Sequence, residues 1–134
     1  MVKATKGLLY GLVLTGGKST RMTADKASLE YYGKKQSVVC HELLSQFCDR
    51  VFISNRKEQA DIEGQKEYPQ IHDRGPFLDI GPLGGILSAM SEYPNVSWLV
   101  LACDLPYVTT ATIKNLIEKR DRQRLATAYI STYD

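Results

Sequence analysis

Residues 8–26 read LLYGLVLTGGKSTRMTADK, and this stretch decides the expected fold. Its first part, Leu8 to Leu14, is an almost unbroken apolar run, as expected of a central strand that is buried on both faces of a sheet. Gly16 and Gly17 follow at once, and adjacent glycines let backbone N–H groups approach an anion without interference from a Cβ atom. The stretch therefore predicts an α/β domain whose first strand runs into a phosphate-binding loop.

The cations of the same loop indicate a nucleoside triphosphate. Arg21 and Lys26 add positive charge that backbone dipoles alone cannot supply, and a guanidinium can donate to two phosphate oxygens at once. Arg21 could instead form a local ion pair with Asp25, and Lys26 could be an ordinary surface lysine. In a loop of this composition we interpret both as phosphate contacts.

Two commoner phosphate loops do not fit. Gly17-Lys18-Ser19-Thr20 looks like the end of a Walker A motif, but that motif needs a glycine five positions before Gly17, where Leu12 lies. No Gly-x-Gly-x-x-Gly pattern occurs in the chain, so the dinucleotide-binding fingerprint is excluded as well.

Strand-like and helix-like patterns alternate along the chain, which is typical of a mostly parallel sheet covered by helices. No internal repeat or linker interrupts the alternation, so we expect residues 1–134 to form a single domain. After the loop the patterns predict a helix over 37–47, strands over 51–54 and 68–71, and a helix from 81. A buried strand over 97–103 comes next, followed by a helix that Thr109 and Thr110 cap and that runs to about 120. A last strand is predicted over 125–130.

Composition narrows the class of protein. The chain has 134 residues, 43% of them hydrophobic and 24% charged, which are globular values. A net charge of +2 is too small to indicate a nucleic-acid or membrane partner, and no apolar run approaches the length of a membrane span.

The cysteines indicate a reducing compartment. Cys40, Cys48 and Cys103 are odd in number and include no Cys-x-x-Cys spacing, so neither a disulfide framework nor a zinc site is expected. All three lie in apolar patterns and are interpreted as core residues rather than nucleophiles. We therefore expect a cytoplasmic protein.

Polar residues follow several of the predicted strands. The glycine-rich loop, Asn55, Asp73 and Asp104 each come after a strand, and ligands of open α/β sheets bind outside the carboxyl ends of strands. Each residue could also be an ordinary turn former. Asp104 is held at a rigid corner by Leu105-Pro106, where its carboxylate could bind Mg²⁺ beside phosphate oxygens. We expect all four features to face one crevice.

The pattern Leu-x-Gly-Gly-x-Ser-x-Arg-Met-x-x-Asp-Lys over residues 14–26 resembles the signature of the MobA-like NTP transferases, the family typified by molybdenum cofactor guanylyltransferases. Asn55, Asp73, the turn Gly81-Pro82-Leu83 and the segment Cys103-Asp104-Leu105-Pro106 follow in the order of that family. The resemblance covers nearly the whole chain. It implies a Rossmann-like three-layer sandwich of the nucleotide-diphospho-sugar transferase type.

The resemblance also implies an activity: transfer of GMP from GTP to the molybdenum-bound form of molybdopterin, with release of pyrophosphate and with Mg²⁺ as cofactor. It implies catalytic roles for Arg21, Lys26 and Asp104, with Asp104 holding the metal ion. Other cofactor-biosynthesis proteins would hand over the molybdenum-molybdopterin. The implied GTP-binding residues are Leu14, Thr15, Gly16, Gly17, Lys26, Asn55, Asp73, Gly81, Pro82, Leu83 and Asp104.

Two alternatives stay open at this point. The same fold serves cytidylyltransferases and sugar-phosphate nucleotidyltransferases, and a non-catalytic GTP-binding remnant would keep the loop without turnover. Members of the family that this chain resembles are commonly longer, so we expect this chain to be truncated at its C-terminal end. An uncovered sheet edge would then favour a homo-oligomer.

Overall fold

The computed structural model describes residues 7–15, 30–31, 34–63, 65–105 and 108–128. These residues form a four-stranded sheet, a small two-stranded hairpin and three α-helices. In chain order the elements are β1 (Leu9–Leu14), β2 (Glu30–Tyr31), β3 (Lys34–Lys35), α1 (Gln36–Ser45), β4 (Arg50–Asn55), β5 (Gln70–His72), α2 (Pro82–Glu92), β6 (Ser97–Ala102) and α3 (Thr110–Lys119).

The four-stranded sheet is parallel throughout and has the order β5-β4-β1-β6. Leu12 of β1 lies opposite Phe52 on one side and Val100 on the other, so β1 is a central strand, as its apolar run predicts. The chain adds β4 and β5 on one side of β1 and then crosses to place β6 on the other side. The crossover puts the topological switch point between β1 and β6, where open sheets bind ligands.

Each face of the sheet carries its own hydrophobic core, because successive strand residues point to opposite faces. On one face, α1 and α3 cover the sheet with a core that includes Val13, Leu44, Ile53, Leu101 and Ile113. On the other face, Ala89 of α2 packs with Tyr10, Leu12, Phe52 and Ile71 of the sheet. The three-layer α/β arrangement expected from the sequence is confirmed over the described residues.

Most predicted elements appear close to their expected positions, with two differences. The third strand of the sheet begins at Gln70 rather than at residue 68, because the Tyr68 N–H donates to the Gln65 carbonyl in a turn and Pro69 has no N–H to donate. The last predicted strand is wrong over residues 125–128, which form no strand, and the Leu125 side chain is fully exposed. A strand needs a neighbouring strand as well as a β-prone sequence, and within the described residues none pairs with this segment. Residues 129 and 130 lie outside the described residues.

Two smaller expectations are confirmed. Thr109 is the N-cap of α3, where its Oγ1 accepts a hydrogen bond from the Thr112 backbone N–H. Cys40 and Cys103 are buried, as expected of core residues, whereas Cys48 is only partly buried. No helix of the described segments is long and apolar enough to cross a membrane.

Candidate functional site

A crevice opens at the carboxyl ends of the parallel strands, at the switch point. Every strand of the main sheet contributes to its lining, either directly or through the residue that follows it, and the first turns of α2 form one wall. The lining residues are Leu14, Thr15, Ser54, Asp73, Gly81, Pro82, Gly85, Ala102, Cys103 and Asp104. The sheet thus brings together residues that are up to ninety positions apart in the chain.

Backbone hydrogen bonds extend the parallel pairing just past the strand ends and so hold the lining in register. The Thr15 N–H donates to the Ser54 carbonyl over 3.1 Å, and the Cys103 N–H donates to the Leu14 carbonyl over 3.1 Å. The Asp73 N–H donates to the Asn55 carbonyl over 3.0 Å. The side chains that follow three different strands therefore start from the same edge of the sheet.

The α2 wall depends on glycine. Gly81, the N-cap, has φ +73° and ψ −155°, a conformation that is essentially restricted to glycine, and Pro82 follows at a first-turn position where it loses no hydrogen bond. A Cβ atom at Gly85 would overlap the Ser54 Oγ, so α2 lies directly on the end of β4. Because Gly81 and Pro82 line the crevice, the positive end of the α2 helix dipole borders it. The first turn of α2 carries no acidic residue that would neutralise this partial charge.

Two carboxylates, Asp73 and Asp104, border the crevice. Burial raises the pKa of Asp73, while the charges of Arg56 and His72 act in the opposite direction. Magnesium sites in proteins commonly use one or two carboxylates together with phosphate oxygens of the substrate. Asp73 and Asp104 follow the strands at opposite edges of the sheet, and the described residues include no group of three side chains able to ligate a metal. A metal ion bound by Asp104 would therefore take phosphate oxygens as further ligands.

The predicted GTP-binding residues fall into three groups. Leu14, Thr15, Asp73, Gly81, Pro82 and Asp104 line the crevice, as expected. Asn55 and Leu83 do not line it: Asn55 is 1% exposed, and Leu83 is 54% exposed on the outer side of the first turn of α2. Gly16, Gly17, Arg21 and Lys26 lie outside the described residues.

The side chain of Asn55 belongs to a buried network of amides. Its Nδ2 donates to Gln65 Oε1 over 2.7 Å, and its Oδ1 lies 2.7 Å from His72 Nδ1. Gln65 is fully buried and its Oε1 also lies 3.4 Å from the Thr15 Oγ1. The network therefore reaches from β5 to the floor of the crevice, although Asn55 does not line the crevice itself.

The orientation of this network follows from Gln70. Its Nε2 donates to the carbonyls of Ala60 and Gln65, so its Oε1 must face Asn55 Nδ2, at 3.3 Å. Asn55 Oδ1 is then the atom that faces His72, and the hydrogen bond requires a proton on His72 Nδ1. This contact makes His72 a structural member of the network.

Several lining residues were not singled out as ligand contacts in the sequence. Ser54, Ala102 and Cys103 are strand-end residues next to predicted site residues, and Gly85 follows the predicted glycine turn, so adjacency was the available signal. Gln65 has no sequence signal. It lies between elements, and only the fold shows that it is buried.

Comparison with known families agrees with this geometry. Residues 11–134 match the MobA-like NTP transferase domain family. The chain belongs to this family. The match spans the described crevice as well as the glycine-rich loop, so the resemblance inferred from the loop and the later motifs is confirmed.

The chain is also similar in sequence to proteins of molybdenum cofactor biosynthesis. The chain is 42% identical over 121 residues to a molybdenum cofactor biosynthesis bifunctional protein of Synechocystis, a match that covers 90% of this chain and 34% of that protein. It is 33% identical over 109 residues to a molybdenum cofactor guanylyltransferase of Xanthomonas euvesicatoria, which covers 80% of this chain and 52% of the relative. The chain thus spans about a third to a half of the length of these two relatives.

Solved structures confirm the fold. A nucleotidyl transferase from Methanothermobacter superposes with a TM-score of 0.67 at 17% identity, over 85% of this chain and 58% of that one. A CMP:2-keto-3-deoxy-manno-octonic acid synthetase superposes with a TM-score of 0.65 at 13% identity, over 83% of this chain and 46% of that one. The nucleotide-diphospho-sugar transferase type of fold is therefore confirmed.

Proposed function

We propose that this chain is the nucleotide-binding part of a molybdenum cofactor guanylyltransferase, which transfers GMP from GTP to molybdenum-bound molybdopterin and releases pyrophosphate. The observation that carries the proposal is the crevice itself. Asp73, Asp104, Thr15 and the N-terminus of α2 line one crevice at the carboxyl edge of the sheet of a MobA-like domain. The names of the relatives support guanylyl transfer as the reaction.

In this proposal each lining element has a physical task. The loop that begins at Gly16 would wrap the triphosphate, and Thr15 would anchor the start of that loop through its Oγ1, which donates to the Ser54 carbonyl over 2.7 Å. Gly81 and Pro82 would form the wall that receives the guanine base. Arg21 and Lys26 would bind the departing pyrophosphate, where negative charge builds up during the reaction.

Asp104 would hold Mg²⁺ against the phosphates, and Asp73, which follows the strand at the other edge of the sheet, would bind the nucleotide. When bound, the ion would neutralise negative charge on the phosphate oxygens. The Asp104 carboxylate would set the position of the ion, and its place at the end of β6 keeps the backbone that carries it rigid. Asn55 would support the floor of the crevice without contacting the nucleotide, because its amide is hydrogen-bonded to Gln65 and His72.

The wider context is part of the proposal. Residues 1–134 would form one domain of a cytoplasmic enzyme, and the acceptor molybdenum-molybdopterin would come from other cofactor-biosynthesis proteins. A cytidylyltransferase, a sugar-phosphate nucleotidyltransferase and a non-catalytic GTP-binding remnant are the competing functions.

Calorimetric titration tests the proposal. The chain is titrated with GTP, ATP and CTP, each with and without Mg²⁺, and we expect the tightest binding for GTP with Mg²⁺. Equal or tighter binding of CTP would contradict the guanine assignment. GTP binding without GMP transfer to cofactor-loaded acceptor would favour the non-catalytic alternative.

A further inference from the structure

Arg56 and Asp79 form an ion pair, and neither residue lines the crevice. Arg56 directly follows β4, and its side chain is only 18% exposed. Its Nη1 donates to Asp79 Oδ1 over 2.9 Å, and its Nε donates to Glu58 Oε2 over 3.0 Å. The guanidinium therefore joins the segment after β4 to the loop that precedes α2.

The backbone of Asp79 is unusual. Its φ of +63° is the one positive value of a non-glycine residue among the described residues, and Gly81 follows with φ +73°. A left-handed conformation is unfavourable for residues with a Cβ atom, and aspartate tolerates it better than most. The contact with Arg56 helps to hold Asp79 in this conformation. Asp79 in turn sets the path of the chain into the wall at Gly81 and Pro82.

Other anchors fix the loop on either side of Asp79. At the start of the loop, the Arg74 N–H donates to Ser88 Oγ over 3.0 Å, and Arg74 Nη1 lies 3.4 Å from Glu92 Oε1. At the end, α2 packs so closely on the turn before it that a Cβ atom at Gly84 would overlap the Phe77 carbonyl. Between these anchors lies Asp79, whose carboxylate Arg56 binds.

The charge of Arg56 also acts on the crevice. Its guanidinium opposes the effect of burial on Asp73, whose pKa is raised by burial, lowered by Arg56 and His72 and raised again by Asp79. A single arginine therefore influences both the shape of the α2 wall and the charge of a lining carboxylate.

We infer that Arg56 is a positioning residue of the nucleotide crevice: through Asp79 it holds the loop before α2 so that Gly81 and Pro82 form the wall that contacts the nucleotide. The inference rests on the proposed function. It assigns to Arg56 an effect on nucleotide affinity without direct contact with the nucleotide.

The test compares Arg56→Gln with Arg74→Gln, a matched control that removes another ion pair from the same loop. We expect Arg56→Gln to weaken GTP binding by about three- to fivefold, the upper end for ion pairs whose carboxylates are at least half exposed, and Arg74→Gln to leave it within about twofold. Wild-type affinity in Arg56→Gln, or equal losses in both variants, would overturn the inference.

Two substitutions of Asp79 separate positioning from general stability. An asparagine side chain tolerates the left-handed backbone and can still accept a hydrogen bond from Arg56, so Asp79→Asn should bind GTP nearly as the wild type does. Asp79→Ala loses the contact and also the residue type that tolerates the left-handed backbone, so it should lose at least as much GTP affinity as Arg56→Gln, and adding Arg56→Gln to it should cause little further loss. Additive losses would overturn the inference.

A further measurement does not depend on GTP. Amide hydrogen exchange at residues 79–84 should be faster in Arg56→Gln than in Arg74→Gln; equal exchange would overturn the inference. If the wild type itself binds no GTP, the proposed function fails, and the exchange comparison still decides the role of Arg56.

Discussion

Asn55 and Asp73 show how much a residue's role depends on where its side chain points. Both follow strands and both were expected to contact the nucleotide. Asp73 lines the crevice, whereas the amide of Asn55 is engaged by Gln65, Gln70 and His72 below it. A buried amide with partners on both of its atoms costs little, and an unpaired one would cost about 1–3 kcal/mol. The network therefore explains why a polar residue lies beneath the site.

Replacing Asp73 by asparagine should stabilise the fold and weaken the site. Burial raises the pKa of Asp73, so the native chain binds its proton more tightly than the unfolded chain does. Stability then falls as the pH rises from the ordinary aspartate pKa through the raised one, and the ionised carboxylate destabilises the native state at neutral pH. We expect Asp73→Asn to unfold at higher urea at pH 7, with a weaker pH dependence in acid, and to bind GTP less tightly. Lower stability of the variant at pH 7 would contradict this.

Replacing Asp104 by asparagine should separate folding from metal dependence. Asp104 is exposed at the end of β6, so the neutral amide should leave the urea midpoint almost unchanged. The loss of charge should remove most of the enhancement of GTP binding by Mg²⁺, which calorimetry with and without the ion measures. Asp61→Asn, an exposed aspartate that does not line the crevice, is the control. An unchanged response to Mg²⁺ would make Asp104 a turn residue only.

At the scale of elements, α2 combines a function in the crevice with unusually close packing. Gly84 and Gly85 let its first turns touch the Phe77 carbonyl and the Ser54 side chain. Close contact places the helix N-terminus at the crevice edge. The same contact leaves no room for a methyl group, which makes the two glycines sensitive positions.

Substitution of Gly84 by alanine tests this packing. The new Cβ atom would meet a backbone carbonyl, which cannot rotate away, so we expect a loss of about 1–3 kcal/mol in the free energy of unfolding. Gly85→Ala should cost less, because the Ser54 hydroxyl can change rotamer. Gly75→Ala, where nothing lies within 4 Å of the added atom, should stay within about 0.5 kcal/mol. Urea titrations of the three variants measure the order, and equal losses would contradict the packing argument.

For the whole molecule, two cores on opposite faces share one parallel sheet. Strands β1, β4 and β6 contribute residues to both cores. If the packing on one face were lost, these strands would separate and the core on the other face would be exposed as well. We therefore expect the described residues to unfold as one cooperative unit. The expected homo-oligomer stays a prediction, which light scattering can test.

Thiol labelling measures this cooperativity. Cys40 in α1 and Cys103 after β6 are buried, and burial raises the pKa of Cys40 to about 11, so at pH 8 only about one thiol in a thousand would be ionised. In a Cys48→Ser background, which removes the partly exposed cysteine, both thiols should react only through global unfolding. The free energies of opening measured at Cys40 and at Cys103 should agree with each other and with the free energy of unfolding from a urea titration. A lower value for one cysteine would show that its part opens separately.

The sequence by itself determined the alternation of elements, the central position of β1, the cap at Thr109 and the family, because these depend on local pattern and on residue types at fixed spacing. It also determined which polar residues follow strands. Only the tertiary structure decided that Asn55 turns into a network with Gln65, that residues 125–128 form no strand, and that Arg56 reaches Asp79. Each of these depends on contacts between segments distant in the chain or on the absence of a pairing neighbour, and such contacts are set by strand order and register rather than by any local pattern.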